Sequence, residues 1–188
     1  MKKYITKPNS LAAMIALSLL AATTLISPQA AERDANRGQL SPSDYNFLTT
    51  AVQGDQMEVD LGNLAQQRSS NPQVQQFAQR MVQDHSQAND QLRSILAKNG
   101  AAVPENADSK GQKEVDKLKS LSGKPFDKEY MDMMLQDHKK DLKEFDRASH
   151  NVENLDLRAF AAKNASVIQG HLDMAENIDH QLKVNENH

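Results

Sequence analysis

The chain has 188 residues, with 22 basic and 25 acidic side chains, a net charge of −3, and no cysteine or tryptophan. That length fits one domain plus whatever the termini carry. The acidic balance argues against a nucleic-acid partner, and the missing cysteines exclude a disulfide scaffold and a lipid anchor on an N-terminal Cys.

The N-terminus reads as a targeting segment. Lys2, Lys3 and Lys7 precede an uncharged apolar run from Leu11 to Ile26, LAAMIALSLLAATTLI, and then Pro28, Ala30 and Ala31. That order is a secretory signal peptide over residues 1–31. The run is short for a membrane span, which takes about 20 residues. The expectation is an exported, periplasmic protein, with outer-membrane association left open. Taking three lysines from 22 basic residues leaves 19 against 25 acids, a mature net charge of −6.

Residues 32–43 are polar, with Gly and Pro, and read as a linker to a folded domain over 44–183. Four long helical periods follow. The first runs from about Asp44 to Arg68, with Ser43 or Asp44 as its cap. Asn71-Pro72 opens the second, which ends near Lys98 before Asn99-Gly100. The loop AAVPENADSKG leads to a short amphipathic stretch with Val115, Leu118 and Leu121 on one side. Gly123, Pro125 and Asp127 open a third long helix, about Lys128 to Ser149. The fourth runs from about Leu155 to Leu182, and residues 184–188 read as a frayed tail. No stretch alternates with period two. The pattern predicts an all-α, antiparallel four-helix bundle with a short extra helix in the second-to-third connection.

Two pentapeptides recur: MVQDH from Met81 and MLQDH from Met134. Each ends in a histidine at the middle of an apolar stripe. The second stripe (Val74, Phe77, Met81, Leu92, Leu96) centres on His85. The third (Tyr130, Met131, Met134, Leu142, Phe145) centres on His138. The fourth (Leu157, Phe160, Val167, Ile168, Ala175, Ile178) centres on His171. The first (Phe47, Ala51, Gly54, Leu61, Ala65) centres on Glu58. Each of the four lies near its helix midpoint, so an up-down bundle brings them into one layer.

A lone histidine on an apolar face is usually a satisfied core residue. Three with a glutamate in one layer are costly to bury unless they pair. They can form a buried hydrogen-bond network. They can equally ligate a divalent transition metal, Zn, Fe, Mn or Cu, since neutral imidazole with carboxylate suits such ions. Asp84 and Asp137 sit about 100° off the stripes. They are either boundary carboxylates or acceptors for a ligand histidine on a neighbouring helix. The methionines read as gap-fillers, with a soft copper site as the weaker option.

MVQDHSQANDQL, FDKEYMDMMLQDHKKDLKEF, GHLDMAENI and AVQGDQMEVDLGNLA together resemble a bacterial exported family, domain of unknown function 4142, described as a predicted outer-membrane protein family. The resemblance spans about Asp44 to Leu182 and implies a ferritin-like fold. Di-iron bundles carry a Glu three residues before the ligand His. Here those positions hold Val82, Leu135 and Ile168. A single metal on Glu58, His85, His138 and His171 fits better than a di-iron oxidase. No nucleophile with an adjacent base, phosphate loop or Zn-protease motif occurs, so an enzyme is not expected. The rival expectation is a structural or stress-response interaction protein of the envelope, with an unidentified protein partner and the same four residues as a buried network. Neither reading gives an oligomeric state.

Overall fold

A computed structural model describes residues 40–102 and 109–186. The segments read as signal peptide and most of the linker lie outside the described residues, as do the last two residues of the tail. Five helices occur among the described residues: α1 (Pro42–Arg68), α2 (Pro72–Lys98), α3 (Ser109–Lys119), α4 (Gly123–Asn151) and α5 (Leu155–Glu186). No strand occurs among the described residues.

The helix boundaries follow local chemistry. Ser41, not Ser43 or Asp44, caps α1: its Oγ accepts the Asp44 N–H at 3.1 Å, and Pro42 takes the first turn, where no N–H is needed. Asn71 caps α2 as expected, accepting the Gln73 N–H at 2.9 Å. Gly100 closes α2 at φ 63°, a left-handed position that glycine adopts without a Cβ penalty. The third long helix begins at Gly123, five residues before Lys128, and α5 continues to Glu186, through three of the five residues read as frayed. Asn154 accepts the Leu157 N–H at 3.0 Å in the first turn of α5. The buried Asp44 carboxylate accepts the backbone N–H groups of Glu153 (3.3 Å) and Asn154 (2.9 Å). One side chain thus ties the start of α1 to the α4–α5 turn.

α1 packs chiefly on α2, and α4 on α5. The α2–α5 contact is smaller and the α1–α4 contact smaller still. The core falls into two clusters. One holds Leu48, Val52, Leu92, Leu96, Phe145, Leu157 and Phe160. The other holds Leu61, Phe77, Met81, Phe126, Tyr130, Met134 and Ile178. α1 and α5 run from the first cluster to the second, and α2 and α4 run the other way. Every packed pair of long helices is therefore antiparallel, and the diagonal pairs are parallel. Because α2 ends beside the first cluster and α4 begins beside the second, their connection spans the bundle's length. That is a one-crossover arrangement. Near the end of that connection, Leu118 of α3 is fully buried in the second cluster, with Val115 and Leu121 packed against it.

The buried face of α1 is turned relative to its expected stripe. Leu48, Val52, Asp55 and Gly62 are buried, while Phe47 and Gly54 are only half-buried. Gly62 permits the close α1–α2 approach. A Cβ there would stand 2.8 Å from Val82 Cγ2 and 2.9 Å from the Ala78 carbonyl oxygen.

Candidate metal centre

Between the two apolar clusters lies a polar layer. Glu58 of α1, His85 of α2, His138 of α4 and His171 of α5 all enter it, and each is at least 93 % buried. The ring centroids of His85, His138 and His171 stand 5.4 to 5.8 Å apart. One ring nitrogen from each lies within 4.8 Å of the other two. Three nitrogens on one tetrahedral ion, each about 2.1 Å from it, stand about 3.4 Å apart. Side-chain rotations that close the gaps by about 1.4 Å or less would therefore bring all three onto a single ion.

The remaining nitrogen of each ring is already held. His85 Nδ1 donates to Asp55 Oδ1 at 2.7 Å. His138 Nδ1 donates to the Met134 carbonyl, one turn earlier, at 2.9 Å. His171 Nε2 donates to Asp84 Oδ2 at 2.8 Å. These bonds fix each ring and place the N–H on its outward side, so the lone pair sits on the other nitrogen. Those lone-pair atoms, His85 Nε2, His138 Nε2 and His171 Nδ1, are buried and have no hydrogen-bond partner. The rings do not bond one another, so the hydrogen bonds of this layer run outward from each ring and not around it. Three orphaned acceptors in one layer are what a cation would satisfy. The three buried histidines could hold a metal ion.

Glu58 enters the same layer but does not join the group of mutually close ligand atoms. Both its oxygens are buried without a partner. Burial pushes its carboxyl up to about 8, with Asp137, Asp141 and Asp55 adding to the rise against the pull of His85. Burial pushes His138 down to about 3, helped by His85 and His171. His171 is also lowered by burial, against the pull of Asp84. Burial would lower His85 too, but the hydrogen bond and charge of Asp55 outweigh it and hold His85 above its ordinary value. Asp55 is itself raised by burial.

The family model for Domain of unknown function (DUF4142) matches residues 29–178. The chain belongs to this family. The fold of this DUF4142 chain is similar to the crystal structure of a DUF305 fragment from Deinococcus radiodurans, with a TM-score of 0.69 and 14 % identity, over 76 % of this chain and 99 % of that one. At that identity the likeness concerns the fold alone. No curated protein matches the chain.

The two flanking aspartates of this DUF4142 chain differ in position. Asp84 reaches across from α2 to His171 and is also bound by Arg80. Burial raises Asp84, and its bonds to His171 and Arg80 outweigh that and hold it low. Asp137 lines a cavity of about 120 Å³ beside the layer, together with Asp55, Glu58, His85, Asp141 and His171. Met134 serves His138 through its carbonyl, not its sulfur. His150 and His180 are exposed and take no part in the layer. Asp55 was absent from the sequence expectations. Its signal was its place one turn before Glu58 on the same helix face.

Proposed function

We propose that this protein binds one first-row divalent transition metal through His85, His138 and His171, with Glu58 beside them as the fourth ligand. The observation that carries this is the set of three buried, unpartnered ring nitrogens, each on a ring whose other nitrogen is anchored. Imidazole donors suit Zn, Cu, Fe and Mn(II), and anchoring by carboxylate or carbonyl is how protein sites commonly orient ligand histidines. A neutral Glu58 would release its proton as the ion arrives. We infer an exported, periplasmic protein from the segment at residues 1–31, and a binding role without enzymatic turnover. No helix among the described residues is long and apolar enough to cross a membrane.

Thermal melts of untagged protein, with and without Zn, Mn, Cu and Fe(II), test the proposal. A ligand at a hundred times its Kd stabilises the fold by about 2.7 kcal/mol. We expect a metal-dependent rise in Tm that His138→Ala abolishes. No shift with any of the four metals would rule the site out. In that case the envelope interaction role, with the same layer as a purely structural feature, takes its place.

A further inference from the structure

The metal reading leaves open how an ion reaches a layer closed on both sides by apolar clusters. The outward side of each ring is taken by a hydrogen-bond partner. The Met134 carbonyl bonds His138, Asp84, itself bonded to Arg80, bonds His171, and Asp55 bonds His85. A cavity reaches the layer from beside it, lined by all four long helices but mostly by α1 and α4, whose contact is the least extensive among the four packed pairs. Exposed Thr50 and Lys140 stand among its lining residues, and His85 and His171 line it as well, while His138 does not. Asp55 and Glu58 contribute carboxyls from α1, Asp84 from α2, and Asp137, Asp141 and Glu144 from α4, with Lys140 the sole lysine or arginine of the lining.

An acidic wall alone is often just a solvated surface. This one surrounds Glu58, which is 2 % exposed, with neither carboxyl oxygen bonded, in the wall of the cavity. A buried polar group with no partner costs free energy unless something arrives to bond it. A cation losing water on its way inward needs negative charge along the path, because the low dielectric there penalises a bare ion.

We propose that this cavity is the port to the histidines, and that Asp137 and Asp141 on α4, across from Glu58 on α1, hold the hydrated divalent cation as it enters. The proposal rests on the metal reading above. Asp137 and Asp141 act on the rate of loading and leave the final ligand set unchanged. Charge-lined clefts raise association rates by roughly 10- to 1,000-fold.

Stopped-flow loading of Co(II) into the full chain tests this, following the absorption of the bound ion. The double variant Asp137→Asn/Asp141→Asn should load about tenfold more slowly, at the low end of that range. Its bound Co(II) spectrum should match that of the wild type. Asp146→Asn removes one such charge from an exposed site on the same helix and should load at the wild-type rate. Mg(II) prefers oxygen ligands to imidazole, so millimolar Mg(II) should slow loading of the wild type and leave the double variant unaffected. The competition arm uses the native chain and does not depend on the variant folding. Equal rates with and without Mg(II) overturn the port, and so does a changed final spectrum, which would make the aspartates ligands. A wild type that takes up no Co(II) at equilibrium removes the metal reading itself, and the port with it.

Discussion

His171 of α5 donates its Nε2 proton to Asp84 of α2, at 2.8 Å across the helix interface. The bond leaves Nδ1 as the acceptor turned into the layer. Asp84 thus sets which nitrogen His171 can offer. We predict that Asp84→Ala lowers metal affinity by about 10- to 100-fold, the usual effect of losing a group that orients a ligand. A Zn(II) competition titration would measure it. An affinity unchanged within threefold would show that His171 needs no orienting partner.

Metal-free protein should show the titration of Glu58. Its carboxyl is raised from 4.5 to about 8 by burial. Between those values the folded state keeps a proton that the unfolded state has lost. Stability from this group is therefore complete below about pH 4.5 and falls as pH rises towards 8, on the order of 1 kcal/mol per pH unit. Glu58→Gln removes that slope. Urea unfolding in chelator from pH 5 to 8 should show the variant gaining on the wild type with each step upward. Parallel curves would mean that Glu58 is already ionised in the fold.

Gly62→Ala should cost about 1–3 kcal/mol, because the new methyl meets the Ala78 carbonyl, a backbone atom that cannot rotate away. Gly170 has nothing within 4 Å of a built Cβ, so Gly170→Ala should gain up to about 1 kcal/mol of helix propensity. Chemical denaturation of both variants gives the comparison. Equal effects would remove the close-packing account of Gly62.

Asp44→Ala should destabilise by about 1–3 kcal/mol, since the amides of Glu153 and Asn154 lose their acceptor. The site is remote from the layer, so metal affinity should not change. A variant that loses affinity as well would mean that the α1 to α4–α5 tie shapes the centre.

Much of this was legible from apolar spacing. The stripes centred on His85, His138 and His171, and the structure brings those three rings together. The centre of α1 was less clear. Its buried face includes Asp55 and Gly62, which a count of apolar residues passes over, so the expected stripe was drawn towards Phe47 and Gly54. Asp84 and Asp137 looked equivalent because each precedes a stripe-centred histidine. Helix order separates them: Asp84 meets a histidine on α5, while the layer residue on α1 is a glutamate. The outward partners of the rings depend on interhelical contacts and side-chain rotation, which residue spacing does not encode.

The repeated MVQDH and MLQDH occupy α2 and α4, the two helices that run in the same direction on one diagonal. α1 and α5 share the other diagonal. Half a turn about the bundle's long axis therefore exchanges α2 with α4 and α1 with α5. That rotation carries Asp84 onto Asp137 and His171 onto Glu58. Asp84 bonds His171, and Asp137 raises Glu58 by its charge. The centre is a near-symmetric ring of four places in which one imidazole has been exchanged for a carboxyl. Glu58→His would restore the symmetry and set Asp137 opposite a new N–H, as Asp84 stands to His171. The single glutamate is what gives this ring a front and a back, and it stands on the side where the cavity opens.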